Sequence, residues 1–259
     1  MGVICVFVNQ KGGVGKTTSA INIGAFLAEA GKKVLLVDFD AQGNLSCGIG
    51  AAPPEPGIYE MLSGTATAEQ AIRKTTVTNM EVIPANLNLS GAAVELIDQK
   101  ERNFFLKKAL SPIKDNYDYI MIDCPPSLGQ LTMNGLAAAD IVLIPMQCEY
   151  FAMEGLKQLL HTTKLIQKSL NPSLRIGGIF FTMYDPRTRL ANDVIKLISS
   201  TYKDLVFNTI IPRNIRLSEA PSYSMPISLY DRQCPGARAY HTLAKELILR
   251  ENTGGANGA

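Results

Sequence analysis

Two lysines, three glycines and two threonines near the amino terminus form a pattern that can bind a triphosphate. The segment KGGVGKTT, residues 11–18, follows the apolar run Val3–Val8 and precedes a helical pattern. A strand, a glycine-rich loop and a helix N-terminus in this order point backbone N–H groups and the positive helix end toward an anion. We therefore expect Lys16 to reach the β- and γ-phosphates and the Thr17 hydroxyl to ligate Mg²⁺.

This loop departs from the ordinary Walker A pattern, GxxxxGK[ST]. The first glycine of that pattern would fall at position 10, which is Gln10, and a second lysine, Lys11, stands ahead of the paired glycines. A glycine-rich turn alone is weak evidence for a phosphate site. The full segment between a strand and a helix is a specific signal, and it predicts a variant phosphate loop.

Two further apolar runs end in aspartate, where the carboxyl edge of a parallel sheet would hold a nucleotide. The run before Asp123 is a Walker B pattern, so we expect Asp123 to hold Mg²⁺ through water. Asp38 and Asp40 are two residues apart, and an extended strand would place them on one face. Either could orient the attacking water or bind water at the metal site. For each aspartate the alternative is a structural role in capping the following helix.

Short apolar strands alternate with helical patterns along most of the chain, which predicts an α/β fold with a mostly parallel sheet between two helical layers. The predicted strands are Val3–Val8, Lys33–Asp38, Met80–Pro84, Tyr117–Asp123, Ile141–Pro145, Arg175–Thr182 and Leu205–Pro212. The predicted helices are Lys16–Ala30, Leu89–Arg102, Phe104–Leu110, Met153–Lys168, Arg189–Tyr202 and Arg238–Arg250, with one short helix in Ala51–Gly64. We predict a single domain over residues 1–251 and a disordered tail over residues 252–259.

Composition narrows the class of protein. The chain has 259 residues, of which 46% are hydrophobic, and no apolar stretch is long enough to span a bilayer. No basic flank precedes the first apolar run, so we expect no secretory signal and a cytoplasmic location. The net charge is +2, but residues 180–250 hold ten Lys/Arg against six Asp/Glu. This asymmetry is consistent with an anionic partner for that part of the chain.

Three segments in this order, KGGVGKTT, LLVDFDAQGN and IMIDCPPS, resemble the ParA/Soj-type partitioning ATPases of the deviant Walker A class, which are related to MinD. The similarity continues through residues 211–221 and 229–231 and so covers nearly the whole chain. The resemblance implies a P-loop fold and a slow, Mg²⁺-dependent ATPase. It also implies an ATP-bound homodimer that binds double-stranded DNA non-specifically at the nucleoid and is reset by a ParB-type centromere-binding protein.

The resemblance also implies roles for particular residues. Lys11 matches the family's signature lysine, which crosses the dimer interface to the other subunit's nucleotide, and Asp40 matches the water-activating aspartate. With Lys16, these two would be the catalytic residues. The implied nucleotide-binding residues are Lys11, Gly12, Gly13, Val14, Gly15, Lys16, Thr17, Thr18, Met183, Pro212 and Asn214, the last three around the adenine. Thr17 and Asp123 would serve the metal.

Arginines near the carboxyl end match positions where this family contacts DNA. Arg187 and Arg216 are the two matches, and Arg189 and Arg213 are further candidates. Neutralising DNA phosphates takes several cations on one face, and a dimer doubles what each subunit offers. For all four residues the alternative is an ordinary solvated surface arginine.

Three alternatives use the same nucleotide scaffold. A MinD-like membrane-cycling ATPase needs a basic amphipathic helix at the extreme C-terminus, whereas the stripe formed by Tyr240, Leu243, Ala244, Leu247 and Ile248 is better explained as core packing. A nitrogenase-type iron protein needs suitably placed cysteines, and the five here are widely spaced and expected to be free thiols. An operator-binding partition protein needs an N-terminal helix-turn-helix, for which we expect no room before the phosphate loop.

Overall fold

A seven-stranded sheet forms the centre of the molecule. The structure, a computed structural model, describes residues 2–51, 56–95 and 99–254. The strands are β1 (Val3–Phe7), β2 (Val34–Asp38), β3 (Arg73–Lys74), β4 (Met80–Ile83), β5 (Tyr119–Asp123), β6 (Ile141–Gln147) and β7 (Arg175–Thr182). Their order across the sheet is β3-β4-β2-β5-β1-β6-β7. All pairs are parallel except β3 with β4, which confirms the predicted mostly parallel sheet.

Helices cover both faces of this sheet, as the sequence predicts. They are α1 (Lys16–Glu29), α2 (Asn44–Gly48), α3 (Ile58–Ser63), α4 (Ala68–Ala71), α5 (Leu89–Glu95), α6 (Phe105–Leu110), α7 (Gln130–Ala138), α8 (Ala152–Ser169), α9 (Arg189–Thr201), α10 (Ile215–Glu219), α11 (Ile227–Tyr230) and α12 (Pro235–Gly254). Two short 3₁₀ helices, Ser111–Asn116 and Ala220–Tyr223, complete the set found in the described ranges.

Two apolar layers form the core, one on each side of the sheet. Alternate residues of β1 show the division, because Ile4 and Val6 belong to one buried cluster and Cys5 and Phe7 to the other. The first cluster is completed by residues of α3–α9, and the second by residues of α1, α2, α11 and α12. Both faces of the central strands are therefore buried, which explains why their sequences are continuous apolar runs.

The predicted strand Leu205–Pro212 is not a strand in the structure. Within the part of the chain that the structure describes, this region forms two isolated β-bridges, Ile179 with Val206 and Tyr184 with Pro212. Between them, the backbone N–H groups of Asn208 and Thr209 donate to the carboxylate of Glu246 on α12, at 2.8 and 3.1 Å. The Glu246 carboxylate thus accepts from backbone N–H groups of the segment that regular strand pairing could have used. The segment lies beside β7 without pairing regularly with it.

Two other predicted boundaries differ, and one helix of nine residues was missed. The helix predicted over Leu89–Arg102 ends at Glu95 as α5, with residues 99–103 in turns, and residues 96–98 lie outside the described ranges. Helix α7 was not predicted. The last helix continues to Gly254, so the predicted tail boundary at residue 252 falls inside α12. Residues 255–259 of that predicted tail lie outside the described residues.

The carboxyl-terminal stripe packs in the core. Tyr240, Leu243, Ala244 and Leu247 are buried in the cluster that contains α1, and Ile248 is partly buried against it. This placement agrees with the core-packing interpretation of the stripe. Within the described ranges, the structure contains no helix with the length and apolar character required to cross a membrane.

Candidate nucleotide-binding site

The loop between β1 and α1 has the backbone geometry of an anion cradle. Gly13 and Gly15 have φ angles of 72° and 88°, in the left-handed region that favours glycine. Gly15 is the N-cap of α1, so the positive end of a 14-residue helix faces the loop. Two polar side chains at the ends of neighbouring strands hold the loop: the Thr182 hydroxyl donates to Val14 O at 2.8 Å, and Gln147 Nε2 donates to Gly13 O at 3.0 Å.

Lys16 is directed into the loop. Its side chain is 7% exposed, and its ammonium group donates to the backbone oxygens of Asn9 at 3.2 Å and Lys11 at 3.4 Å. Burial lowers the pKa of Lys16, and the nearby negative charge of Asp123 opposes that shift. The loop therefore encloses a fixed positive charge that carbonyl oxygens satisfy only weakly, and an anion would be a better partner.

Asp123 ends β5 beside this lysine and is completely buried. The Thr17 hydroxyl donates to Asp123 Oδ2 at 2.6 Å, whereas Oδ1 is buried with no hydrogen-bond partner in the structure. Burial, reinforced by the charge of Asp38, raises the pKa of Asp123 to about 8. A buried carboxylate oxygen that accepts no hydrogen bond, next to a threonine hydroxyl, fits a hard cation such as Mg²⁺.

Asp38 and Asp40 have different surroundings. Strand β2 ends at Asp38 and the chain turns before Asp40, so the extended strand on which the predicted shared face depends does not continue to Asp40. Asp38 is fully buried and accepts from the Ser46 backbone N–H at 2.8 Å and hydroxyl at 2.6 Å. Asp40 is half-buried, accepts from Gln42 N at 3.1 Å and lines the cavity above the phosphate loop. The structure therefore separates a structural carboxylate from one that can reach a ligand.

Two adjoining cavities surround the phosphate loop. The first has a volume of about 470 Å³ and is lined by the loop, Asp40 and Asn44. The second, of about 630 Å³, shares part of its lining with the first. The predicted base-contacting residues Met183, Pro212 and Asn214 all line this second cavity. The pair of cavities suits a ligand with a charged end at the loop and a less polar end near these three residues.

Lys11, at the start of the phosphate loop, makes its contacts within the chain. Its ammonium group forms an ion pair with Glu149 and donates to Gln147 Oε1 at 3.2 Å. Both Lys11 and Glu149 are exposed. In this structure the lysine is directed along its own subunit's loop, toward residues that follow β6.

Arg187 and Arg216 are exposed but already paired with acidic side chains. Arg187 Nε and Nη2 donate to Asp185 at 2.9 and 2.6 Å, and this contact lowers the pKa of Asp185 to about 2. Arg216 Nη1 donates to Glu219 Oε2 at 2.9 Å, and its Nε lies 3.5 Å from Asp231 Oδ2. To bind either arginine, a phosphate would have to share the guanidinium group with these carboxylates or displace them from it.

Arg189 and Arg213 complete the set of predicted arginines. Arg189 lies 3.8 Å from Asp193 at the exposed start of α9. Arg213 is exposed and lines the second cavity. The bridge between Tyr184 and Pro212 joins the two chain segments that carry all four arginines. Arg213 also acts electrostatically on Asp185, the partner of Arg187, so these two arginines lie near each other.

Sequence reasoning missed three polar residues of this site. Gln147 and Thr182 end strands β6 and β7 and hold the phosphate loop, and Ser46 binds Asp38. For Gln147 and Thr182 a signal was present, because each is the first polar residue after an apolar run of a parallel strand. Ser46 carried no such signal, since its contact depends on how α2 packs.

Comparison with known proteins agrees with this geometry. A family model described as an AAA domain matches residues 1–176. The chromosome-partitioning ATPase Soj of Treponema pallidum is 61% identical over 251 residues, which cover 97% of this chain and 99% of that protein. The chain belongs to the Soj/ParA family of chromosome-partitioning ATPases. The sporulation initiation inhibitor protein Soj of Bacillus subtilis is 53% identical, with 95% and 98% coverage.

A solved structure extends the comparison to the ligands. A Mycobacterium smegmatis protein described as cobyrinic acid a,c-diamide synthase, with bound ATP analog and magnesium, matches this Soj/ParA chain with a TM-score of 0.87. The two are 38% identical, and the match covers 98% of this chain and 97% of that one. The expected P-loop fold is therefore shown.

Proposed function

We propose that this Soj/ParA family member is an ATP-driven switch that binds DNA non-specifically as an ATP-bound dimer and is reset by a ParB-type partner. The observation that carries the proposal is the buried group formed by Lys16, Thr17 and Asp123 at the carboxyl edge of the sheet. This group has one positive charge and one unpartnered carboxylate oxygen, which is what a magnesium–triphosphate pair requires.

ATP and Mg²⁺ fit the residues that are present. The loop Lys11–Gly15 and the first turn of α1 with Thr18 would hold the phosphates, and Lys16 would leave its two carbonyl partners for phosphate oxygens. Thr17 and Asp123 would hold the metal, Asp123 through water. When bound, Mg²⁺ would neutralise phosphate charge. Met183, Pro212 and Asn214 would contact the adenine in the second cavity.

Hydrolysis would depend on positioning and charge, because phosphoryl transfer needs little covalent chemistry from the protein. Asp40 lines the phosphate cavity, so we assign it the orientation of the attacking water. Asp38 does not compete for this role since Ser46 occupies its carboxylate. Lys11 would leave Glu149 and complete the partner subunit's site, much as an arginine finger does.

DNA binding would use Arg187 and Arg216, with Arg189 and Arg213 beside them. Each subunit offers this cluster, and dimerisation would bring two clusters onto one duplex. Because Arg187 and Arg216 are paired with carboxylates, their net charge is muted in the single chain. Such a protein would reside in the cytoplasm, associated with the nucleoid.

The test is DNA retention on an immobilised, non-specific duplex with ATP, with ADP and without nucleotide. We expect retention only with ATP, and a loss of ATP binding in Lys16→Ala. Lys11→Ala should bind ATP yet remain monomeric in size-exclusion chromatography. Equal retention in all three nucleotide conditions would refute the switch, and retention on liposomes instead of DNA would favour a membrane-cycling ATPase.

A further inference from the structure

A buried asparagine connects the phosphate-binding helix to the segment that carries Arg216. Asn22 on α1 is 4% exposed. Its Nδ2 donates to Thr18 O at 2.8 Å, and its Oδ1 accepts from Ile227 N at 2.7 Å, across 205 positions of sequence. Thr18 lies in the first turn of α1 and lines both cavities. Ile227 is the first residue of α11. One amide thus joins the nucleotide cavity to α11.

Helix α11 in turn holds the head group of Arg216. The Tyr230 hydroxyl donates to Glu219 Oε2 at 3.0 Å, and Arg216 Nη1 donates to the same oxygen at 2.9 Å. Asp231, directly after α11, lies 3.5 Å from Arg216 Nε. Two of the groups that fix the guanidinium therefore come from α11 or the residue following it. A shift of α11 would move the charge of Arg216 or change its pairing.

From these contacts we propose that Asn22 is a positioning residue that couples the occupancy of the nucleotide site to the placement of Arg216. The inference rests on the proposed function for the role of Arg216 in DNA binding. The physical link itself does not depend on that role, because it consists of the contacts between Thr18, Asn22, Ile227 and the residues around Arg216.

Burial makes this link stiff. Asn22 is almost wholly buried at the edge of the phosphate-loop cavity, so giving up either hydrogen bond would leave a polar group unpaired, which is costly. When a ligand displaces the first turn of α1, α11 must follow or lose its bond to Asn22. The element that carries Arg216 is also short, since α10 and α11 have five and four residues, so packing alone holds it weakly.

The chain provides a matched control on the opposite side of the sheet. Asn134 on α7 is also buried, and its Nδ2 donates at 3.1 Å to Gln130 O, the carbonyl four residues earlier, as Asn22 does to Thr18 O. It also donates to Arg102 O at 2.7 Å and accepts from a backbone N–H of another helix, that of Leu106, at 3.3 Å. Asn134→Leu therefore removes one hydrogen bond more than Asn22→Leu does, so it is the harsher change, but only Asn22 connects the nucleotide cavity with α11.

The experiment measures hydrogen exchange of residues 215–231 with and without a non-hydrolysable ATP analogue, and DNA retention with ATP and with ADP. In the unaltered chain we expect the analogue to slow exchange in this segment. In Asn22→Leu we expect that protection to disappear and the ratio of retention with ATP to retention with ADP to fall at least fivefold. ATP-dependent dimerisation should be retained. Asn134→Leu should keep both the protection and the ratio.

The outcomes separate the two proposals. Undiminished protection in Asn22→Leu, or an equal loss in Asn134→Leu, would overturn the coupling. Protection that depends on Asn22 in a chain that never retains DNA would uphold the coupling and refute the proposed DNA function. Should Asn22→Leu fail to fold, Asn22→Ala serves instead, because it removes both hydrogen bonds without adding a charge or a larger apolar side chain. Unchanged protection in that variant would also count against the coupling.

Discussion

The neighbouring strands β2 and β5 end in the same residue, but the two aspartates differ in their hydrogen bonding. Asp38 and Asp123 are aligned in the register of the parallel pair, and both are buried. Asp38 accepts bonds from the backbone of Asp40 and from both donors of Ser46. Asp123 accepts one bond from Thr17 and keeps one oxygen without a partner.

The two carboxyl groups also differ in pKa. Burial raises the pKa of Asp38 to about 6, with its hydrogen bonds opposing the shift, whereas the pKa of Asp123 rises to about 8. A carboxylate whose two oxygens both accept hydrogen bonds stabilises the fold, in this case the start of α2. A carboxylate with an open acceptor and an unfavourable charge is suited to a cation. Hydrogen-bond saturation, more than sequence motif, separates the two roles.

The largest effect should come from Asp123→Asn. A bound metal contributes several kcal/mol of charge stabilisation, so we expect ATP hydrolysis to fall on the order of 1,000-fold. The free energy of unfolding without ligand should not decrease, because the amide keeps an acceptor for the Thr17 hydroxyl and cannot acquire a buried charge. Steady-state ATPase assays and denaturant unfolding measure the two quantities. Hydrolysis within threefold of the unaltered chain would contradict the metal role.

The second effect concerns the residue just beyond β2. Asp40→Ala should bind ATP normally and lose about 100-fold in hydrolysis, the usual range for a group that positions or accepts a proton. The variant should therefore accumulate as an ATP-bound dimer, which light scattering can detect. Normal turnover by Asp40→Ala would assign the water-orienting role elsewhere and weaken the contrast with Asp38.

The third effect is on stability alone. In Asp38→Asn an amide offers one acceptor oxygen where the carboxylate offers two, so one donor of Ser46 or Asp40 loses its partner. We expect the free energy of unfolding to fall by about 1–3 kcal/mol. Denaturant unfolding measures the loss, and Asp123→Asn is the control from the neighbouring strand. A loss in the control as large as in Asp38→Asn would remove the distinction between the two ends.

The smallest effect is on the pH dependence of the ligand-free protein. Both folded pKa values lie above the unfolded value of 3.8, so the native state binds more protons than the unfolded state between about pH 4 and 8. Stability should therefore fall as pH rises through this range. Unfolding at pH 5.5 and 8.5 without Mg²⁺ measures it. The slope should be shallower in Asp123→Asn, and an unchanged slope would contradict the assignment.

Sequence reasoning located the elements whose signals are local. The phosphate loop, β1, β2 and β5 were predictable because a buried parallel strand reads as an apolar run and the loop as glycines before a lysine. Helix α7 was missed because Thr132 and Asn134 are polar yet buried, which hides the helical period. The strand predicted over residues 205–212 failed because Glu246 captures its donors. That contact spans distant parts of the chain and leaves no local signal.

The same limit applies to the site. The Walker motifs supplied Lys16, Thr17 and Asp123, but the sequence did not reveal that Ser46 binds Asp38 and leaves Asp40 free of it. The four arginines were proposed by resemblance, and the pairing of Arg187 with Asp185 and of Arg216 with Glu219 became visible only in the structure. Motif spacing therefore predicted the candidate residues, and packing determined which of them have hydrogen-bond or ion-pair partners within the chain.

The contact between Lys11 and Glu149 has a consequence for how easily the subunit can change partners. Their side chains are 50% and 56% exposed, and ion pairs this open to water contribute about 0–1 kcal/mol. An ion pair of this strength breaks and re-forms at thermal energies, so Lys11 can separate from Glu149 without help from a ligand. A second subunit would meet a side chain already in motion, and raising the ionic strength would loosen it further.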